Sequence, residues 1–130
     1  MTKYLGMEPK DLYLKAYSSG MEALKNAIPT PMIVYEKAIG LSDKPVPGCK
    51  EWYVPEGACG FAWINIKPAR GKFIKYLKDI DAGHKSYYGG YDVWVHEGGQ
   101  SLERKEAYAS AFAKVLRDNG FDAYMMSRMD

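Results

Sequence analysis

Apolar residues recur at helical spacing near the start of the chain. Tyr13, Tyr17, Met21, Leu24 and Ile28 follow one another at intervals of four, four, three and four, which predicts an amphipathic helix of about four to five turns. Pro9 suits its first turn, and Pro29 and Pro31 end it by removing backbone donors and restricting the residues before them. Met32 to Glu36 then reads as a short strand. Pro45, Pro47, Gly48, Pro55, Gly57 and Gly60 crowd the next stretch and leave room for little regular structure beyond a brief Glu51 to Val54 strand.

The C-terminal half reads strand, helix, strand, helix, strand. Phe61 to Lys67 is strand-like, and after Pro68 a helix follows with Phe73, Leu77 and Ile80 on one stripe and Ile74 beside it, stopped by Asp81-Ala82-Gly83. Tyr91 to Glu97 alternates as a strand between glycine pairs. Ser101 is placed to cap the next helix, whose inward stripe is Tyr108, Phe112, Val115 and Leu116. Asn119-Gly120 fits a left-handed C-terminal cap, and a last strand runs from Phe121 to Arg128.

Side chains alternate across a strand, so each of these three strands divides into two sets. Ala62, Ile64, Ile66, Tyr91, Val93, Val95, Ala123 and Met125 form a mostly aliphatic face suited to packing beneath both helices. Phe61, Trp63, Asn65, Lys67, Asp92, Trp94, His96, Asp122, Tyr124, Met126 and Arg128 form an aromatic and polar one. The asymmetry predicts an α+β two-layer sandwich with both connecting helices on the aliphatic side, joined by an N-terminal helix and short strands. A sheet's apolar face normally finds a partner layer, which favours cover of the aromatic face by residues 1 to 58, with Tyr13, Tyr17, Met21 and Leu24 as a lid. The alternative leaves part of it open, with flat rings beside Lys67, His96 and Arg128 on which a base could stack.

Length and composition bound the function. The 130 residues have the length of one domain, residues 1 to 130. A formal charge of +2 is far from the dense basic face of a duplex-DNA binder, so a nucleic-acid role needs a local patch. The polar start, broken by Gly6 and Pro9, lacks a secretory h-region, and no segment approaches the roughly 20 apolar residues that span a bilayer. The expectation is a cytoplasmic protein with no membrane partner. Cys49 and Cys59 are then expected as reduced thiols, and together with His84 and His96 they show no metal-ligand spacing, so neither metal nor cofactor is expected.

Two surfaces besides the sheet face draw attention. Lys67, Arg70, Lys72, Lys75, Lys78 and Lys85 outnumber Asp79 and Asp81, and Lys72, Lys75 and Lys78 form a stripe that could meet phosphate near the helix start at Pro68 to Gly71, although a solvated face has the same pattern. The loop GHKSYYGG, Gly83 to Gly90, mixes backbone freedom with two rings, a His and a Lys. It suits a clasp over a ligand, or a connection with Tyr87 or Tyr88 tucked into a side cluster. For catalysis, Asp92 and His96 share a strand face but lie about 13 Å apart along it, too far for a dyad. His96 could instead meet Asn65 or Asp122 of a neighbouring strand. Cys59 has nothing nearby in sequence to lower its pKa, and no nucleophile-elbow, zincin or dinucleotide fingerprint is present.

The stretches CGFAWINIKPARGKFIKYLK (Cys59 to Lys78), YGGYDVWV (Tyr88 to Val95) and QSLERKEAYASAFAKVLRDNGFDAYMMSRMD (Gln100 to Asp130) resemble a group of small uncharacterised proteins of tailed bacteriophages. The resemblance covers about the last 70 residues, the scale of one compact domain. It implies a phage accessory protein in a bacterial cytoplasm and no established activity.

The leading expectation is a non-enzymatic protein that binds a small anionic ligand such as a nucleotide, or single-stranded nucleic acid. The candidate residues are Trp63, Lys67, Arg70, Lys72, Tyr88, Trp94, His96, Tyr124 and Arg128. The alternative is an interaction module that binds or inhibits a host protein, and a small enzyme ranks third.

Overall fold

A computed structural model of the chain describes residues 7–35, 51–55 and 57–130. Glu36, Pro45, Pro47, Gly48 and Cys49 lie outside them. The first helix, α1, spans Pro9–Asn26 with Pro9 in its first turn. Its buried ridge is Leu12, Ala16 and Gly20, one position ahead of the predicted stripe, and Tyr13, Tyr17, Met21 and Leu24 flank it half-buried. Ile28, expected on that stripe, is 90% exposed because the helix has already closed at the Ala27 cap. Met32–Tyr35 (β1) and Glu51–Val54 (β2) pair antiparallel in a small sheet of their own.

The main sheet is built from Gly60–Lys67 (β3), His84–Lys85 (β4), Tyr91–Trp94 (β5) and Asp122–Met129 (β6), with α2 at Lys72–Asp79 and α3 at Leu102–Asp118. Its strand order is β4-β5-β3-β6, and every neighbouring pair is antiparallel. β3 and β4 therefore run the same way with β5 between them, and β5 and β6 run the same way with β3 between them. Each helix crosses over one intervening strand, which gives the split β-α-β-β-α-β arrangement of ferredoxin-like domains. β4 was not expected: two residues are too few to show a period. β5 is shorter than Tyr91 to Glu97, although Val95 N still donates to Ala62 O at 3.0 Å.

The aliphatic face is buried as the alternation predicts. Ala62, Ile64, Ile66, Tyr91, Val93, Val95 and Ala123 share one core with Phe73, Ile74 and Leu77 of α2 and Tyr108, Ala109, Phe112, Ala113 and Leu116 of α3. Met125 packs against it half-buried. Both connecting helices thus lie on one side, an α+β layering driven by removal of aliphatic surface from water. Ile80, expected on the α2 stripe, lies past the helix and is exposed.

Both predicted caps of α3 form. Ser101 Oγ accepts from Arg104 N at 3.3 Å. At the other end Gly120 has φ 93°, Gly120 N donates to Arg117 O and Phe121 N donates to Leu116 O, both at 3.0 Å, the paired bonds of a Schellman motif.

Helix α1 is not a lid on the aromatic face. It packs against α3 on the helix side, with Tyr13 edge-on to Phe112 at 5.9 Å, Tyr17 edge-on to Tyr108 at 6.0 Å, and a smaller contact from Tyr13 to Tyr76 of α2. The small residues of its ridge decide this placement. A Cβ at Gly20 would stand 2.9 Å from two ring carbons of Tyr108, so only a bare backbone approaches α3 this closely. Arg104 Nη1 fastens the helix end by donating to Leu24 O at 3.2 Å and Ala27 O at 3.3 Å.

Candidate functional site

With α1 on the far side, no described helix lies over the aromatic face of the main sheet. Its side chains form cross-strand rows set by the register. Trp94, Trp63 and Met126 make one row across β5, β3 and β6, and His84, Asp92, Asn65 and Tyr124 make the next across all four strands. Phe61 lies opposite Arg128 at one end of β3, and Lys67 opposite Asp122 at the other.

The Trp63 and Trp94 rings stack, with centroids 4.5 Å apart and planes 18° from parallel. Phe61 closes on Trp94 edge-on at 6.0 Å, and the Arg128 guanidinium stands 5.3 Å from the Phe61 centroid. Lys105 reaches the same ring from α3 at 5.4 Å and donates to Gly60 O at 3.3 Å, which satisfies a buried ammonium. In the polar row Asn65 Nδ2 donates to Asp92 Oδ1 at 2.8 Å and to Gly89 O at 2.9 Å. The amide thereby ties the sheet to the hairpin tip between β4 and β5.

That tip is the GHKSYYGG segment. Ser86 N donates to Gly90 O at 2.8 Å and Tyr88 N to Ser86 Oγ at 3.2 Å, closing a tight turn. Gly90 sits at φ 82°, where an added Cβ would come within 2.7 Å of Ile66 O, so only glycine lets the turn fold back onto β3. The base of the hairpin is pinned from the other face by Tyr91, whose hydroxyl donates to Ala82 O at 2.7 Å. Burial raises the Tyr91 pKa, and the Asp81 charge adds to the shift. Tyr87 and Tyr88 meet edge to face at 5.0 Å and are 92% and 88% exposed, so neither is tucked into a side cluster. The hairpin turns toward the open sheet face instead.

Between tip and sheet lies a cavity of about 310 Å³ lined by Trp63, Asn65, Lys67, His84, Ser86, Tyr87, Tyr88, Gly89, Asp92, Trp94, Met126 and Arg128. Asp92 is only 7% exposed; Asn65 holds its Oδ1, and its Oδ2 takes no hydrogen bond from a described residue. Trp94 Nε1 is buried with no acceptor among the described residues. Folded proteins pair nearly all groups buried in that way, and an unpaired one costs about 1–3 kcal/mol.

Of the residues singled out in the sequence, the fold brings Trp63, Lys67, Tyr88, Trp94 and Arg128 to this cavity. Arg70 lies apart, in an open cleft with Lys67, Gly71 and Asp122 at the start of α2. Lys72 is on the exposed face of α2, where Lys75 pairs with Asp79 at 3.2 Å. Tyr124 faces outward on β6 beneath the Arg117 guanidinium, 5.0 Å from its ring. His96 falls beyond the end of β5 in a small cleft with Asp81, Gly83, His84 and Trp94. The register sets Asn65 against Asp92 and Tyr124, and Asp122 against Lys67, so neither is His96's cross-strand neighbour. The alternation had placed Asp92 and Asn65 on this face; their pairing, and the arrival of His84 and Ser86, depend on register and on β4.

Among the described residues no three metal-ligating side chains gather, Cys59 is a free thiol, and no helix is long and apolar enough to cross a membrane. No protein-family model, curated protein or solved structure matches the chain.

Proposed function

We propose that the protein binds single-stranded nucleic acid on the aromatic face of its main sheet, with bases against Trp63, Trp94 and the Tyr87–Tyr88 tip and phosphates at Lys67 and Arg128. The observation that carries this reading is the stacked Trp63–Trp94 pair on the two central strands, uncovered by any described helix. Half-exposed aromatics on a four-stranded sheet offer bases a sequence-tolerant platform. Lys67 and Arg128 are rooted at opposite ends of the Phe61 to Lys67 span, about 20 Å apart along the backbone at ~3.3 Å per residue, and both reach the cavity between them, an extended arrangement that supports the oligonucleotide reading. In the setting the bacteriophage resemblance implies, this is an accessory protein acting on phage or host single strands.

Titration with short single-stranded oligonucleotides at low salt should quench tryptophan emission, and the affinity should fall as salt rises. Mononucleotides should bind more weakly. An unchanged emission spectrum across DNA and RNA oligonucleotides at low salt overturns the proposal.

A second reading is a contact patch for a host protein, favoured by Tyr124, Met126 and Met129, all exposed on the edge strand β6. A partner captured from host lysate and lost on Met126→Asp, with oligonucleotide binding absent, would select it.

A further inference from the structure

Asp92 is a buried carboxylate at the floor of a cavity whose rim is cationic and whose walls are aromatic. Stacking and phosphate contacts explain why a strand would bind there, but they leave the carboxylate without a purpose. Asn65 holds Oδ1 at 2.8 Å and is itself held by Gly89 O at 2.9 Å, so the carboxylate is fixed in one orientation. Oδ2 is left to accept a hydrogen bond from whatever enters. An ionised carboxylate can only accept, so it welcomes a base edge that presents an amino group and repels one that presents a carbonyl oxygen.

We infer that Asp92 is the specificity-determining residue of the sheet face, accepting from an exocyclic base amino group, so that the site selects cytosine over thymine and uracil. The inference rests on the nucleic-acid reading above. Cytosine and thymine suit the comparison because both are pyrimidines of like size that differ at this edge: cytosine carries an amino group at C4 where thymine carries a carbonyl oxygen. Asn65 acts as a positioning residue, since its amide holds the carboxylate and is itself held by Gly89 O.

The test compares short oligodeoxycytidylate and oligodeoxythymidylate of equal length by tryptophan quenching. The wild-type protein should prefer the cytosine strand on the order of tenfold, the scale of one charge-assisted base contact. Asp92→Asn keeps an oxygen to accept from Asn65 and puts an amide donor in place of Oδ2. It should abolish or invert the preference while the thymine strand binds at least as well as before, a shift that mere structural damage would not produce.

The same contact can be removed from the ligand, which needs no variant to fold. A strand of N4,N4-dimethylcytosine should bind the wild-type protein as weakly as thymine. Equal affinity for the two natural strands, a preference that survives Asp92→Asn, or full-strength binding of the dimethylated strand overturns the role of Asp92 and leaves the nucleic-acid reading standing. Failure of both natural strands and of their RNA counterparts to bind overturns both.

Discussion

The rings of Trp63 and Trp94 lie 4.5 Å apart and 18° from parallel, on adjacent central strands whose other faces are packed in the core. Their stack is rigid because each backbone is fixed by the ladder, and it is half-exposed because the described helices lie on the opposite side. A flat ring held in this way loses little entropy when a base settles on it.

Trp63→Ala should therefore weaken oligonucleotide binding by about 1–3 kcal/mol, the usual worth of one base–aromatic stack. Thermal stability should change much less than on truncating a core residue such as Ile64, because Trp63 is only half-buried. Binding assays and thermal melts on the same preparation separate the two effects. A large stability loss with intact binding would make Trp63 a core residue.

Lys67→Ala and Arg128→Ala probe the margin. Each removes one cation from the cavity rim, and loss of one phosphate contact should lower the slope of log affinity against log salt by about 0.7 for a single strand. The preference between bases should be unaffected, because phosphate contacts position the strand and do not read it. Lys72→Ala, on the exposed side of α2 and away from the cavity, is the control that should leave the slope unchanged.

The helix-side tyrosines predict loss of stability at alkaline pH. Burial raises the Tyr108 pKa above its ordinary 10.0, and the Glu97 charge adds to the shift; Tyr13 is raised for the same leading reason. The unfolded phenol ionises near pH 10 while the folded one stays neutral. The stabilisation from keeping it neutral is thus complete below pH 10 and is lost progressively as pH climbs above it. Tyr108→Phe should flatten the fall in melting temperature between pH 9 and 11, with Tyr13 and Tyr91 accounting for the remainder.

The features legible in the sequence are those that depend on near neighbours in the chain. Alternation divided β3, β5 and β6 into an aliphatic and an aromatic face, and the Ser101 and Asn119-Gly120 caps of α3 could be read from the local residues. Partner choice across the fold was not legible. Helix α1 has two usable sides, and periodicity picked the tyrosine-rich one; the chain buries the smaller ridge of Leu12, Ala16 and Gly20 because it matches α3. Nor does a β-α-β pattern say whether its strands are adjacent or separated by a third. The two-residue β4 carries no period, so the row that brings His84 beside Asp92, and Asp92 beside Asn65, could not be read in advance.

Gly20 gives the sharpest test of that packing. In an exposed helix, glycine to alanine stabilises by about 1 kcal/mol, because alanine restricts the unfolded chain and favours the helix. In α1 the new methyl would stand 2.9 Å from Tyr108 Cδ2 and Cε2 and 3.2 Å from Cγ. The ring cannot swing aside freely, since Tyr17 meets it edge-on at 6.0 Å and Phe112 lies 5.8 Å away. Forcing an extra methyl into a filled site costs about 1–3 kcal/mol, so the clash should outweigh the propensity gain and leave Gly20→Ala destabilised by about 1 kcal/mol in urea unfolding. In a Tyr108→Ala background the obstructing ring is gone, and the same substitution should become neutral or stabilising, a reversal that a double-mutant cycle measures directly. A stabilised Gly20→Ala single variant would mean that α1 does not approach α3 at this point.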